Sequence, residues 1–192
     1  MDIKKHFDNF YSDPLWFDNS DHADHRLGRV MEFIERYSKH LDVGCANGLF
    51  TKFYLDKYPD TEGYGIDISD VAISMAKENC PQGHFVSGSV FNMPYENNSF
   101  DMVHSTEVVE LLENPQGAVD ECYRVLKKGG IFITTIPFEN PLREEHIWKW
   151  DIYEQRVHEK SRMNRDTLHQ FKIIKEIPKF YNDRMLYIIC QK

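Results

Sequence analysis

Five positions in the amino-terminal part of the chain have the residue types and spacing to hold a nucleoside-bearing ligand: Asp42, Gly44, Ala46, Gly48 and, nineteen residues beyond Gly48, Asp67. Gly44 and Gly48 bracket a turn where a side chain would obstruct a ligand approaching the backbone. The helix that follows, with Leu49, Phe50, Phe53 and Tyr54 as its apolar face, turns unpaired N–H groups toward whatever lies over that turn. Asp67 ends an apolar run, Gly63 to Ser69, that reads as a strand. A carboxylate at the carboxyl end of a parallel strand can accept both hydroxyl protons of a ribose. Dinucleotide enzymes use the same device, so Asp67 supports a nucleoside without choosing the ligand. The turn is more selective, because the dinucleotide fingerprint G-x-G-x-x-G/A fails at its second and third positions, which are Ala46 and Leu49.

The observed pattern, Asp42-x-Gly44-x-Ala46-x-Gly48, resembles motif I of the class I S-adenosylmethionine-dependent methyltransferases, D/E-x-G-x-G-x-G, with Ala46 at the middle glycine. The resemblance runs from about Leu41 to Pro137. It includes the Pro94-Tyr95 to Phe100-Asp101 approach to a fourth strand, and Arg124-Val125-Leu126-Lys127-Lys128-Gly129-Gly130, with Lys128 where the family has proline. It implies S-adenosyl-L-methionine as cofactor, held by Asp42, Gly44, Cys45, Ala46 and Gly48 at the turn and by Asp67 and Ile68 at the ribose and adenine. Ser89 and Val90 would face the adenine amino group, Ser89 standing where the family commonly has an acid, and His104 would line the site. The implied fold is α/β, a Rossmann-like three-layer sandwich with a seven-stranded, mostly parallel sheet, whose final strand inserts antiparallel between the two before it.

Methyl transfer from a sulfonium asks a protein for in-line positioning and, for some acceptors, proton removal. His146 and His104 are the candidate bases, since imidazole titrates near neutrality; a positioning or packing role stands beside that reading for each. Glu107-x-x-Glu110 resembles the E-x-x-E-H metal motif of some O-methyltransferases, but Leu111 replaces the histidine, so we expect no metal and a short helix with exposed glutamates. Arg143, Trp148, Trp150 and Tyr153 line an acceptor pocket in one reading and cap the sheet in the other.

The net charge of −8 argues against phosphate-backbone binding as the main source of affinity, which makes a small-molecule acceptor the expected partner rather than nucleic acid, for O- or N-methylation. A regulatory protein that binds the cofactor without catalysis is the rival, and an NAD-dependent dehydrogenase a more distant one. No run approaches a membrane span, the amino terminus lacks a signal-peptide core, and Cys45, Cys80, Cys122 and Cys190 are scattered without a C-x-x-C pair. These features read as a cytoplasmic protein with reduced thiols.

The elements that must position these residues follow from periodicity. A single domain of 192 residues would comprise an amino-terminal helical cap over 1–37, strands near 40–43, 63–69, 84–87, 100–104 and 131–137, and helices led by Leu49, Ser69 and Asn114-Pro115. In the cap, Phe7, Phe10, Tyr11, Trp16 and Phe17 precede a helix capped by Asp21. These aromatics either cover the core or, with Tyr11, Trp16, His22, His25 and Arg26, form a lid over the site. Residues 142–170 are a possible acceptor-site region, a helix completes over 166–171, and two strands, 171–177 and 185–190, end the chain.

Overall fold

The computed structural model describes residues 2–12, 31, 34–137, 163–178 and 185–192. The expected helix from Asp21, the lid candidates Trp16, His22, His25 and Arg26, and the acceptor-region residues Arg143, His146, Trp148, Trp150 and Tyr153 lie outside these. The described elements are α1 (Ile3–Tyr11), β1 (Lys39–Val43), α2 (Leu49–Lys57), β2 (Glu62–Asp67), α3 (Asp70–Asn79), β3 (His84–Ser87), β4 (Phe100–Ser105), α4 (Pro115–Val125), β5 (Leu126–Pro137), β6 (Lys172–Pro178) and β7 (Met185–Gln191). The strands form a seven-stranded sheet in the order β3-β2-β1-β4-β5-β7-β6. β7 runs antiparallel to both β5 and β6, the insertion expected from the resemblance. The chain resolves into two compact units, 1–94 and 95–192.

In the first unit, β1, β2 and β3 pair in parallel, with Asp42 opposite Gly65 and Asp67 opposite Ser87. α2 buries Phe50, Thr51, Tyr54 and Leu55, a face rotated by about one residue from the predicted one, so Leu49 and Phe53 are only half-buried. The helix starts at the left-handed Gly48, φ 76°, without a side-chain cap. α3 likewise buries Ala72, Ile73 and Ala76, with Val71 and Met75 half-buried at its edge. Gly65 is required by packing: a Cβ there would lie 2.6 Å from a Phe85 ring carbon and 2.8 Å from Cys45 Sγ. α2 and its C-cap fasten Met31, Ile34 and Tyr37, through Tyr54 Oη donating to the Tyr37 carbonyl at 3.1 Å, Lys57 Nζ to Met31 O at 2.9 Å and Tyr58 Oη to Ile34 O at 3.2 Å. α1 lies in the segment read as the aromatic lead of the amino-terminal helical cap, for which no helix start was given; Asp2 caps it, accepting from the Lys5 N–H at 3.2 Å.

In the second unit, α4 starts as predicted, with Pro115 in its first turn and the Asn114 side chain accepting from the Gly117 N–H. Its end differs. The sequence places Lys127 to Gly130 between helix and strand, whereas β5 begins at Leu126. Phe100 pairs with Leu126 and Met102 with Ile131, so residues 127–130 form a bulge. The chain end closes it: Gly129 N–H donates to Lys192 O at 2.9 Å, and Lys192 N–H to Gly130 O at 3.1 Å. The helix expected over 166–171 is one 3₁₀ turn, Arg165–Leu168, opened by a capping box between Asn164 and Thr167.

Candidate cofactor site

The glycine turn is built on the end of β2. The Ile66 carbonyl accepts from the Gly44 N–H at 2.8 Å and the Cys45 N–H at 3.1 Å, and Gly48 N–H returns to Cys45 O at 2.8 Å. Gly44 and Gly48 both take φ 76°, and Ala46 takes φ 49°. The family-pattern departure at Ala46 is therefore a left-handed alanine, which costs about 1–2 kcal/mol. Its N–H meets the Asp67 carboxylate at Oδ2, 3.0 Å away, while the Ser69 N–H donates to Oδ1 at 3.0 Å. Ser69 caps α3 through its hydroxyl, which accepts from the Ala72 N–H at 3.1 Å.

Asp67 is thus clamped between the turn after β1 and the start of α3, with 7% of its surface exposed. Burial, and less strongly the charge of Asp42, raises its carboxyl above the ordinary range, against the N–H groups of Ser69 and Ala46 that favour the ionised form. A carboxylate offers about four lone-pair directions; the N–H groups of Ser69 and Ala46 and, less strongly, Ile68 use part of that capacity and leave some for a ribose hydroxyl. Asp42, on β1, is 4% exposed. Ile68, Ser89 and Val90 are half-buried, and the Ser89 hydroxyl oxygen accepts from the Phe91 N–H at 3.2 Å, a turn-stabilising role the sequence did not suggest.

In the second unit, His104 is 2% exposed, its Nε2 lying 3.3 Å from Thr106 Oγ. That burial supports positioning over proton removal. Glu107 is half-buried with φ 60°, and Glu110 is fully buried, correcting the expectation of two exposed glutamates. Glu110 Oε2 accepts from the Val108 N–H at 3.0 Å, and Oε1 accepts from the Thr135 hydroxyl, whose oxygen takes the Glu107 N–H at 2.9 Å. The carboxylate is turned inward as the keystone of its loop. Among the described residues, no group of three or more His, Cys, Asp or Glu could hold a metal ion.

Residues 41–134 match the family model of the methyltransferase domain. Residues 41–134 form a methyltransferase domain, and the chain has the class I methyltransferase fold. It is 26% identical to the malonyl-[acyl-carrier protein] O-methyltransferase of Enterobacter lignolyticus, over 69% of this chain and 52% of that protein. It is 25% identical to the sterol 24-C-methyltransferase of Candida albicans, over 94% of this chain and 45% of that one. The chain therefore spans about half the length of these curated relatives. Among solved structures, the geranyl diphosphate C-methyltransferase of Streptomyces coelicolor, determined with Mg²⁺, geranyl diphosphate and S-adenosyl-L-homocysteine, shares the fold with a TM-score of 0.70 at 12% identity, covering 88% of this chain and 79% of that one.

The methyltransferase domain's own geometry fits the cofactor. Gly48 opens α2 without a side-chain cap, leaving the helix's first turn to a ligand, and Asp67 keeps acceptor capacity beside it. Sequence reasoning placed Ser69 at the start of α3 but missed its bond to Asp67, and it missed Asp8, for which nothing in the sequence pointed to the site.

Proposed function

We propose that this chain binds S-adenosyl-L-methionine and transfers its methyl group to the oxygen or nitrogen of a small-molecule acceptor. The observation that carries the reading is the Asp67 carboxylate, fixed by the N–H groups of Ala46 and Ser69 next to a left-handed glycine turn. Gly44, Ala46 and Gly48 would face the methionine part, Asp67 the ribose, and Ile68, Ser89 and Val90 the adenine. The bound cofactor would supply an electrophilic methyl on a sulfonium. What remains for the protein is orientation and, for a hydroxyl or amine, acceptance of a proton, which we assign to His146.

A metal-free reaction agrees with Glu110, both of whose oxygens already accept bonds within the protein, from the Val108 N–H and the Thr135 hydroxyl. A small acceptor agrees with the net charge of −8 and with the relatives named for a sterol and a carrier-bound malonyl group. Calorimetry with S-adenosylmethionine and S-adenosylhomocysteine tests the first step; absence of binding to either overturns the reading, and binding without turnover in any metabolite pool leaves a regulatory binder. With an acceptor in hand, His146→Ala should slow single-turnover transfer by roughly a hundredfold at unchanged cofactor affinity. An unchanged rate would move proton acceptance to another group or to water.

A further inference from the structure

We propose that α1 is a clasp coupled to the cofactor, and that Asp8 is the positioning residue through which it acts on the ribose-binding carboxylate. The inference rests on Asp67 holding the ribose, as argued above, and adds a residue and an element to that site.

α1 has no fully buried residue, although Phe7, Phe10 and Tyr11 are half-buried. Polar contacts tie it to the start of α3. Lys4 pairs with Asp70, and Asp8 Oδ1 accepts from the Ser69 hydroxyl at 2.6 Å and from the Val71 N–H at 3.4 Å. Asp8 thereby places a negative charge at the amino end of α3, where the helix dipole favours one. Ser69 is the hub. It donates its hydroxyl to Asp8, accepts the Ala72 N–H, and gives its own N–H to Asp67 Oδ1. Asp67 Oδ2 then takes the Ala46 N–H. Four residues, Asp8, Ser69, Asp67 and Ala46, form one continuous relay from α1 to the glycine turn.

Tyr11 follows Asp8 by three residues, on the same face of the helix. Its hydroxyl is pushed well above the ordinary phenol range by desolvation and then by the charges of Asp67, Cys45 and Asp42, which places the end of α1 at the same carboxylates. An element with no fully buried residue opens at lower cost than the core, so a ligand that fastens one end of the relay changes the population of the docked helix. Linkage makes the effect reciprocal: whatever factor docking of α1 contributes to cofactor affinity, the cofactor returns to docking of α1.

The test uses the full chain with S-adenosylhomocysteine, by calorimetry and amide hydrogen exchange over residues 3–11. In the native protein the ligand should slow exchange in α1. Asp8→Ala should weaken binding about tenfold and abolish that protection, whereas Asp8→Asn, which keeps an oxygen to accept from Ser69, should fall between. Lys4→Ala, which loosens the helix without touching Ser69, should shift both readouts in the same direction by less. A purely structural α1 would not have exchange that depends on ligand. If the native protein binds the ligand but α1 exchanges identically with and without it, or Asp8→Ala binds within twofold, the clasp is refuted and the cofactor assignment stands. If the native protein does not bind at all, both fall.

Discussion

Asparagine at position 67 is a more informative perturbation than alanine, because it keeps the shape and removes one acceptor. Asp67 receives one backbone N–H on each oxygen, from Ser69 and from Ala46, both at 3.0 Å. An amide cannot satisfy both: whichever way it turns, its NH₂ faces one of those N–H groups, donor against donor. The variant therefore loses a framework bond between β2 and either the glycine turn or α3, together with the charge that strengthens the ribose bonds. A hydrogen bond to a charged group contributes about 1.5–3 kcal/mol, so Asp67→Asn should lose at least about 2 kcal/mol of cofactor affinity, roughly thirtyfold. Asp67→Ala, which removes both acceptors, should lose about 3 kcal/mol or more. Titration calorimetry with S-adenosylhomocysteine measures the affinity, and thermal melting without ligand shows whether the fold is intact. A folded Asp67→Asn protein that binds within threefold of the native one would refute the assignment of the ribose to this carboxylate.

The raised carboxyl of Asp67 also gives a pH dependence. Its folded pKa lies above the ordinary 3.8, so the folded state holds this proton more tightly than the unfolded one, and ionised Asp67 costs stability at neutral pH that is recovered as pH falls through the folded pKa toward 3.8. Ribose hydroxyls favour the ionised form, so binding should release a proton in that acid range, and affinity should fall by up to about tenfold per pH unit below the folded pKa; pH-independent affinity down to the ordinary carboxylate range would contradict this. Thr135→Val strands Glu110 Oε1 and the Glu107 N–H in a buried loop and should cost about 2–4 kcal/mol in chemical denaturation, whereas a loss below about 0.5 kcal/mol would remove the keystone role of Glu110. Gly65→Ala drives a methyl into Phe85 and Cys45 and should lower stability by about 1–3 kcal/mol. All four cysteines are buried, and burial raises the thiols, that of Cys190 to about 12; a thiol reagent at mildly alkaline pH should leave the native protein unmodified and label all four sites in denaturant.

Much of the cofactor half was legible in the sequence, for a local reason. A glycine turn between a strand and a helix, and an acid at the next strand's end, are set by backbone conformation and short-range periodicity, which residue types report directly. The antiparallel final strand was reached by resemblance, and the ladder between β5 and β7 agrees with it. What residue types do not report is where distant groups meet. Glu110 reads as a surface glutamate on a short helix until Thr135, twenty-five residues on, supplies the hydroxyl that makes its burial tolerable. Residues 127–130 read as a linker until the chain end, more than sixty residues later, takes their hydrogen bonds. Asp8 reads as one acid among many in an amphipathic stretch; only packing α1 on α3 brings it to Ser69, sixty-one positions away. Local composition determined the turn and its carboxylate, whereas the partners that hold that carboxylate in place were decided by contacts whose energy exists only once the chain has folded.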